Sequence, residues 1–264
     1  MADALANHLE TLLPGGRGVW VPIDHGASSF PEHGLMDSDS AVDAAIEGGA
    51  DAIVLHKGPL SYHFDRTAWG RFVCHSSMST IHGGPRSQDK VHVSGARECF
   101  SRGAIGISGQ VNLGDPAEPE MIQRMSGITS EALEVELPVL GMFYPRGPNL
   151  RLDPTDSTMG VAHAARLAWE LGCNVVKVPW TGTEESFRIV TSSVPIPVLV
   201  SGGEGGVEFS QILEIVEKSI NAGGSGVCIG RNVFGAEDPA SHIRSLRAIV
   251  HDGKSAEHAA MLLG

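Results

Sequence analysis

A helix-like segment, one or two glycines and a short apolar run follow one another repeatedly along the chain. Four of these runs begin just after Gly49, Gly103, Gly172 and Gly224. Glycine after a helix supplies the left-handed residue that closes the helix end, and an apolar run bounded by turn residues is typical of a strand buried on both faces. Strands that alternate with helices in this way pair into a parallel sheet.

The number of such runs points to a closed barrel. Further apolar runs at residues 18–24, 71–75, 137–144 and 196–201 bring the predicted strands to eight. Eight strands close a (β/α)8 TIM barrel, which takes roughly 250 residues. Because the chain has 264 residues, we predict a single α/β catalytic domain over residues 1–264. An open doubly wound sheet would use fewer strands and a glycine-rich loop after the first strand, whereas here that strand ends in Asp24 and His25.

Charge and cysteine content narrow the class of protein. The chain carries 19 basic and 31 acidic residues, a formal net charge of -12, so the basic surface that nucleic acid or an anionic membrane requires is not expected. The four cysteines form no CxxC pair, which favours reduced thiols over disulfides or a zinc site. We see neither a secretory leader nor a long apolar run at the N-terminus, and we therefore predict a cytoplasmic protein.

In TIM barrels the active site is built at the C-terminal ends of the strands. Polar residues and glycines stand where the predicted apolar runs end, and we expect them to meet at one face of the barrel. They are Asp24, His56, Lys57, Gln110, Tyr144, Lys177, Ser201, Gly202, Gly203, Gly230 and Arg231.

Lys177 is the most informative of these residues. It lies between Val176 and Val178, and strand alternation places it on the same face as Val175. Burial among apolar groups is expected to lower the pKa of the Lys177 amine and to make it a nucleophile toward carbonyl groups. The alternative is a lysine at a strand end that extends to solvent or pairs with a carboxylate.

Tyr144 and Asp24 are the candidates for proton transfer. Tyr144 is one of only two tyrosines, and at a strand end its hydroxyl could donate and accept a proton, although a buried tyrosine with a satisfied hydroxyl is the simpler alternative. Asp24 could direct protons or stabilise an iminium, or it could simply form a turn. Lys57 repeats the pattern of Lys177 at the end of the second strand and is also a candidate for covalent chemistry. It ranks below Lys177 because the neighbouring Gly58 places it in a loop and not in the strand.

The last two strands end in glycine-rich segments that indicate a phosphate site. Loops after strands 7 and 8 of this fold commonly bind phosphate through backbone N–H groups and a cation. Ser201, Gly202 and Gly203 follow one strand, and Gly230 and Arg231 follow the other. Lys57, His25 and Arg146 complete the predicted binding set. A metal-dependent alternative would have to draw its ligands from His25, His56 and His75, since no HExxH or HxH spacing occurs.

With these residues assigned, the chain resembles the archaeal-type class I aldolases, a family that includes fructose-bisphosphate aldolases and ulosonate synthases. The similarity runs from about Gly18 to Pro239. Its markers are Pro22-Ile-Asp-His-Gly26, Leu55-His-Lys-Gly58, Met142-Phe-Tyr-Pro-Arg-Gly147, Val161-Ala-His-Ala-Ala-Arg-Leu167, Val176-Lys-Val-Pro-Trp-Thr-Gly182, Ser201-Gly-Gly203 and Gly230-Arg-Asn-Val-Phe234.

The resemblance implies that Lys177 forms a Schiff base, that Tyr144 is the general acid and base, and that Asp24 assists proton transfer. It implies a sugar phosphate and an aldehyde as the small-molecule partners, and no metal or other cofactor, because the protonated imine is itself the electron sink. It also implies assembly into homo-oligomers, often decamers.

Within the family, Met142 favours the synthase branch, in which dihydroxyacetone phosphate or a ketohexose phosphate is joined to an aldehyde such as aspartate semialdehyde. Gln110, where the synthases lead us to expect histidine, and the short segment Glu204, Gly205 and Gly206 depart from the family pattern and concern acceptor specificity. The alternatives are a fructose-1,6-bisphosphate aldolase, a thiolase-like acyl transferase to coenzyme A, and a barrel that binds a sugar phosphate without catalysis.

Overall fold

The computed structural model describes residues 2–153, 155–203 and 207–263. Eight parallel strands close into a barrel in which each strand pairs with its neighbours in chain order and the last pairs with the first, as predicted. The strands are β1 (Gly18–Pro22), β2 (Ala52–Leu55), β3 (Phe72–His75), β4 (Gly106–Leu113), β5 (Val139–Pro145), β6 (Val175–Val178), β7 (Val198–Ser201) and β8 (Gly226–Cys228).

Helices connect the strands on the outside of the barrel. They are α1 (Ala2–Leu12), α2 (His25–Ser28), α3 (Ser38–Glu47), α4 (Lys57–Arg66), α5 (Ala96–Ser101), α6 (Glu118–Glu134), α7 (Thr158–Glu170), α8 (Glu184–Ser192), α9 (Phe209–Asn221), α10 (Arg231–Phe234), α11 (Pro239–Val250) and α12 (Ala256–Ala260), with 3-10 turns at Pro14–Gly16 and Ile81–Arg86. None of the helices in the described part of the chain is both long and apolar enough to cross a membrane.

Two apolar clusters follow from strand alternation. Val176 and Val178 belong to the outer cluster, which packs the barrel wall against the helices, whereas Val175 belongs to the inner one. The alternation predicted for β6 is therefore confirmed, and it turns Lys177 toward the barrel axis. Helix α1 contributes Leu12 to the inner cluster, and the Trp20 indole N–H donates to the Leu12 carbonyl at 2.7 Å.

Strand β4 is longer than the apolar run that predicted it. It continues past Ser108 to Leu113, and its last residues pair with β5 as far as Pro145. Gln110 and Asn112 interrupt the apolar pattern, but each is buried and the Gln110 amide donates to the Asn112 Oδ1 atom at 2.9 Å. Because the two polar groups satisfy each other, the strand can continue through them.

A long connection after β3 forms a strap over the barrel mouth, which we define as residues 76–95. It contains a two-stranded antiparallel ribbon, Ser77–Met78 against Val91–His92. The buried Asp89 carboxylate holds it down through ion pairs with Arg86 and with Arg124 of α6, and Arg124 also donates to the Lys90 carbonyl at 2.9 Å. The strap is thereby fixed to the barrel at the end where the strands terminate.

Candidate active site

A cavity of about 630 Å³ opens at the C-terminal end of the barrel. Residues from β1, β4, β5, β6, β7 and β8 reach it, although they are far apart in the chain. Of the predicted residues, it is lined by Asp24, His25, Gln110, Tyr144, Arg146, Lys177, Ser201, Gly202, Gly203, Gly230 and Arg231. The convergence follows from the parallel barrel, which brings every strand end to the same face.

Lys177 lies on the inner face of β6, and only 7 % of the residue is exposed. Its neighbours in the barrel wall are Met142 of β5 and Leu199 of β7. The amine shares the cavity with the segments that end β7 and β8. The nitrogen is therefore turned into the barrel mouth and away from bulk water.

The ionisation of Lys177 differs from the sequence prediction. Burial disfavours the ammonium, but anionic forms of Cys228 and Tyr144 and the carboxylate of Asp24 favour it, and the pKa of Lys177 is raised above its ordinary 10.5. Burial and the charge of Asp24 raise the pKa of the Cys228 thiol to about 11, against the opposing effect of Lys177, so Cys228 is neutral near pH 7. The prediction of a lowered Lys177 pKa is wrong, because the sequence did not show that Cys228, Tyr144 and Asp24 would stand within electrostatic reach of the amine.

Tyr144 lies near enough to Lys177 to favour the ammonium form of its amine. It stands near the end of β5, where its ring is half-buried and the guanidinium of Arg146 lies 4.7 Å from the ring centroid. Both side chains line the cavity, so the Tyr144 hydroxyl is placed to relay a proton between the amine and a bound carbonyl group.

Asp24 stands between two histidines at the end of β1. The His75 Nε2 and His25 Nδ1 atoms each lie 3.8 Å from its carboxylate. Burial lowers the pKa of both histidines despite the attraction of Asp24, that of His75 to about 3. Burial raises the pKa of Asp24, but the positive charges of His75, His25, His56 and Lys177 outweigh it and lower that pKa. Since the histidines are neutral near pH 7, Lys177 is the charged group that stabilises the Asp24 carboxylate there.

Two buried polar atoms of this group, one on Asp24 and one on His25, are open to a ligand. Among the described residues, the Asp24 Oδ1 and His25 Nδ1 atoms have no hydrogen-bond partner, although both residues line the cavity. Buried polar atoms in folded proteins are almost always hydrogen-bonded. A hydroxyl group of a bound molecule would satisfy them.

The loops after β7 and β8 form the wall of the cavity next to Asp24, because β8 pairs with β1. Gly203 adopts a φ of 72°, which favours glycine, and its carbonyl accepts from Arg231 at 3.2 Å. A Cβ atom on Gly230 would lie 2.4 Å from the Pro22 carbonyl oxygen, so only glycine allows that approach. Arg231 thus bridges the two loops, and its guanidinium lies beside glycine backbone that no side chain covers. This arrangement is suited to binding phosphate. The segment Glu204, Gly205 and Gly206 lies outside the described residues.

Lys57 is not brought to the cavity. Strand β2 ends at Leu55, and Lys57 is the first residue of α4. Its ammonium lies 3.4 Å from the Glu98 carboxylate of α5, and its side chain is 40 % exposed. The expectation that Lys57 binds substrate is therefore corrected: the helix begins before its side chain can turn inward, and a carboxylate outside the cavity holds its charge.

Three residues of the site were missed by reasoning from the sequence. Lys90 of the strap and Cys228 of β8 line the cavity, and the buried Asn112 accepts from Arg146 at 3.0 Å. Lys90 is one of only five lysines in the chain, but it follows no strand of the repeating pattern. Asn112 lies beyond the predicted end of its strand, and Cys228 looked like an ordinary buried thiol.

The three histidines of the metal-dependent alternative do not assemble into a ligand set. His56 packs against His75 with ring centroids 5.3 Å apart, and its Nδ1 atom is 2.9 Å from the His75 carbonyl oxygen. The His75 Nδ1 atom lies 2.8 Å from the Ser108 hydroxyl. Within the part of the chain that the structure describes, no group of three or more His, Cys, Asp or Glu side chains could hold a metal ion.

Comparison with known proteins gives a consistent result. Residues 19–236 match the family described as DeoC/LacD family aldolase. The chain is 35 % identical over 236 residues to 2-amino-4,5-dihydroxy-6-oxo-7-(phosphonooxy)heptanoate synthase of Streptomyces griseus, covering 88 % of this chain and 84 % of that protein. It is also 35 % identical over 248 residues to 2-amino-3,7-dideoxy-D-threo-hept-6-ulosonate synthase 1 of Archaeoglobus fulgidus, covering 92 % and 89 % of the two chains.

Among solved structures, an archaeal fructose-1,6-bisphosphate aldolase with its catalytic lysine covalently bound to the carbinolamine intermediate of the substrate is similar at a TM-score of 0.79. The two chains are 25 % identical, and the alignment covers 93 % of this chain and 99 % of that one. The likeness therefore spans nearly all of both barrels.

Proposed function

This chain belongs to the DeoC/LacD family of aldolases, and from that premise we propose that it joins a phosphorylated ketone donor to aspartate semialdehyde. It is a class I aldolase, whose chemistry passes through a Schiff base between a lysine and the substrate, and the predicted resemblance is confirmed. We propose dihydroxyacetone phosphate or a ketohexose phosphate as the donor and Lys177 as the lysine.

One observation carries the choice of Lys177. Its amine is buried at the end of β6, within electrostatic reach of Tyr144 and Asp24. The loops around Ser201 and Arg231 line the same cavity. A ketone phosphate held by those loops can present its carbonyl carbon to this amine, whereas Lys57 lies outside the cavity.

The raised pKa of Lys177 assigns a role to its neighbours. The ammonium must lose a proton before its nitrogen can attack a carbonyl carbon. Tyr144, which lies beside the amine, relays that proton: its hydroxyl accepts the proton from the ammonium as it passes its own to the substrate carbonyl oxygen. It acts as a relay again when a second proton of the nitrogen leaves with the carbinolamine oxygen as water. Asp24 remains anionic, because its pKa is lowered, and it stabilises the positive iminium that replaces the ammonium. The charge beside Asp24 is therefore the same before and after the Schiff base forms.

The enamine is the nucleophile of the carbon–carbon bond. A base removes a proton from the carbon next to the iminium, and the resulting enamine adds to the aldehyde while a proton is delivered to the new alkoxide. Tyr144 and Asp24 are the groups that we assign to these transfers, because both line the cavity beside Lys177. Water then hydrolyses the product iminium and restores the free amine.

The name of the Streptomyces griseus product supports aspartate semialdehyde as the acceptor. A 2-amino-4,5-dihydroxy-6-oxo-7-(phosphonooxy)heptanoate is a β-hydroxy ketone. Breaking its C4–C5 bond in the aldol sense yields 2-amino-4-oxobutanoate, which is aspartate semialdehyde, and dihydroxyacetone phosphate. This chain is similar to that synthase over 88 % of its length, and we propose the same pair of substrates.

Fructose-1,6-bisphosphate aldolase is the second candidate. It is favoured by the likeness to the archaeal aldolase of that name at 25 % identity. Both reactions would use the same donor and the same lysine, and they differ only in whether the acceptor is aspartate semialdehyde or glyceraldehyde 3-phosphate.

Reductive trapping tests the proposal. Borohydride is added to the protein in the presence of dihydroxyacetone phosphate, and peptide mass mapping locates the reduced adduct, which we expect on Lys177. The Lys177→Met variant should give no adduct and no turnover, because methionine has no amine with which to form an imine. The exposed Lys218→Met variant is the matched control, and it should be trapped as well as the wild type.

The acceptor is identified by measuring kcat/KM with dihydroxyacetone phosphate and either aldehyde, with and without coenzyme A. We expect the higher value for aspartate semialdehyde and no dependence on coenzyme A. An adduct on Lys57, or trapping that persists in Lys177→Met, would show that the lysine is wrongly assigned. A higher kcat/KM for glyceraldehyde 3-phosphate would replace the first candidate with the second.

A further inference from the structure

Lys90 faces the cavity from the side opposite the proposed phosphate loops. The strap that carries it leaves the barrel after β3 and returns before β4. In the closed order of eight strands, β3 and β4 lie across the barrel from β7 and β8. Lys90 and Arg231 both line the cavity, so two cations stand on opposite walls, with Tyr144 and Lys177 on strands between them.

Lys90 has no anionic partner of its own. The neighbouring Asp89 carboxylate is already paired with Arg86 and Arg124. No hydrogen bond or ion pair of the Lys90 side chain occurs among the described residues, although the residue is half-buried. Burial and the charge of Arg146 lower the pKa of Lys90, against the weaker attraction of Asp24. A half-buried ammonium is unfavourable unless an anion pairs with it.

The buried side-chain amide of Asn112 connects Arg146 to the strap. The Asn112 Oδ1 atom accepts from Arg146 at 3.0 Å, and its Nδ2 atom donates to the Gln88 carbonyl of the strap at 2.7 Å. Arg146 is also stacked over the Tyr144 ring. The Arg146 side chain and the strap that carries Lys90 are thus positioned by protein contacts and do not depend on a ligand for their placement, which is what a recognition site requires.

The charge of the cavity is opposite to that of the protein. Of the described residues, four cations line it, Lys90, Arg146, Lys177 and Arg231, against the two carboxylates of Asp24 and Glu32, whereas the whole chain has a formal net charge of -12. One cation is assigned to the donor phosphate and one to the Schiff base. Lys90 lies on the wall opposite the proposed phosphate loops and has no role in either.

We propose that Lys90 is a specificity-determining residue that binds an anionic group on the acceptor aldehyde. The inference rests on the proposed function and names the class of its second substrate: an aldehyde that carries a carboxylate or a phosphate. With the phosphate of the donor at Arg231, the product has an anion at each end, and the new carbon–carbon bond forms between them, beside Lys177 and Tyr144.

The test compares acceptors in charge variants of Lys90. With dihydroxyacetone phosphate as donor, kcat/KM is measured for aspartate semialdehyde, for glyceraldehyde 3-phosphate and for the neutral propionaldehyde. Lys90→Met should lower kcat/KM for whichever anionic aldehyde the wild type prefers by on the order of tenfold to a hundredfold, the usual effect of losing one charged hydrogen bond, and should leave propionaldehyde within about twofold. Lys90→Arg, which keeps the charge, should retain most of the preference. The two anionic aldehydes show whether the group is a carboxylate or a phosphate.

Controls separate this inference from the proposed function. Reductive trapping of dihydroxyacetone phosphate on Lys177 does not involve the acceptor, so Lys90→Met should be trapped as well as the wild type, and trapping also shows that the variant is folded. Lys218→Met should leave the preference unchanged. An equal loss for charged and neutral aldehydes, no loss for either, or a wild type that prefers propionaldehyde would overturn the inference. Failure of the wild type to be trapped would contradict the proposed function itself.

Discussion

The charge state of the site is decided by single residues. Burial acts against every charged group in the cavity, yet it leaves the histidines neutral and Asp24 and Lys177 charged. The difference lies in pairing: Asp24 and Lys177 stabilise each other, whereas His75 would have to share the same carboxylate with a stronger cation. The resting protein therefore holds Lys177 as an ammonium within electrostatic reach of the Asp24 carboxylate. In the proposed mechanism, Tyr144 relays the first proton from this ammonium to the substrate carbonyl oxygen.

His75 should make the protein sensitive to acid. Its pKa is about 3 in the folded state against 6.5 ordinarily, so between these pH values the unfolded chain binds a proton that the folded chain does not. Stability must then fall as the pH decreases from 6.5 toward 3, by about 1.4 kcal/mol per pH unit for one group. Asp24, whose ordinary pKa is 3.8, is ionised in both states over most of that window.

The measurement is the free energy of unfolding in urea at pH 7 and pH 5. From pH 7 to pH 5, the loss of stability should be smaller in His75→Gln than in the wild type by about 2 kcal/mol. His82→Gln, at an exposed position of the strap, should behave like the wild type. An unchanged loss in His75→Gln would mean that other groups cause the acid sensitivity.

One buried carboxylate, that of Asp51, joins two strands and a helix at the end of the barrel where the strands begin. Asp51, immediately before β2, accepts from the Val19 backbone of β1 at 2.8 Å. On the other side it meets Arg247 of α11 at 3.2 Å and His251, just after that helix, at 2.7 Å. It thereby ties the first two strands to helix α11, at the end of the barrel away from the active site.

Replacing this carboxylate should destabilise the fold without changing the chemistry. Asp51→Ala leaves the Val19 N–H and the Arg247 guanidinium without their buried acceptor, and breaking a buried pair costs about 3 to 5 kcal/mol. We expect that loss in urea unfolding, with kcat retained by the folded fraction. The exposed Asp252→Ala is the control and should change stability little. A selective loss of kcat in Asp51→Ala would place this residue in the catalytic machinery.

At the scale of the whole molecule, a cationic cavity is set into an acidic protein. A surface of net charge -12 repels anions at long range, so an anionic substrate must be captured by the local field of the cavity. In the free protein the cations of the cavity repel one another. Ligand anions should therefore stabilise the fold as well as occupy the site.

Thermal unfolding in the presence of dihydroxyacetone phosphate measures this coupling. At a concentration about 100 times its Kd, a ligand that binds only the folded state stabilises it by about 2.7 kcal/mol. The wild type should show the corresponding rise in Tm, and Arg231→Met should show much less at the same concentration. Sodium chloride at equal ionic strength is the control, and an equal rise in Arg231→Met would exclude the Arg231 loops as the phosphate site.

Local patterns in the sequence were enough to predict the barrel and the reactive residues at its strand ends. Glycine-bounded apolar runs are local signals, because backbone conformation and side-chain alternation depend on near neighbours in the chain. They predicted eight parallel strands, and alternation along β6 placed Lys177 inward. Since parallel strands end at one face, the convergence of Asp24, Tyr144 and Lys177 followed from topology alone.

Only the tertiary structure decided which charges meet. Lys57 was expected in the cavity, but the start of α4 and the carboxylate of Glu98 hold it outside. Lys90 has no place in the strand pattern, yet the strap carries it over the barrel mouth. The pKa of Lys177 is raised, and not lowered as the sequence had predicted, because of the groups that surround it in the fold. Electrostatic interactions depend on distance in space and on burial, and neither quantity can be read from the order of residues in a chain.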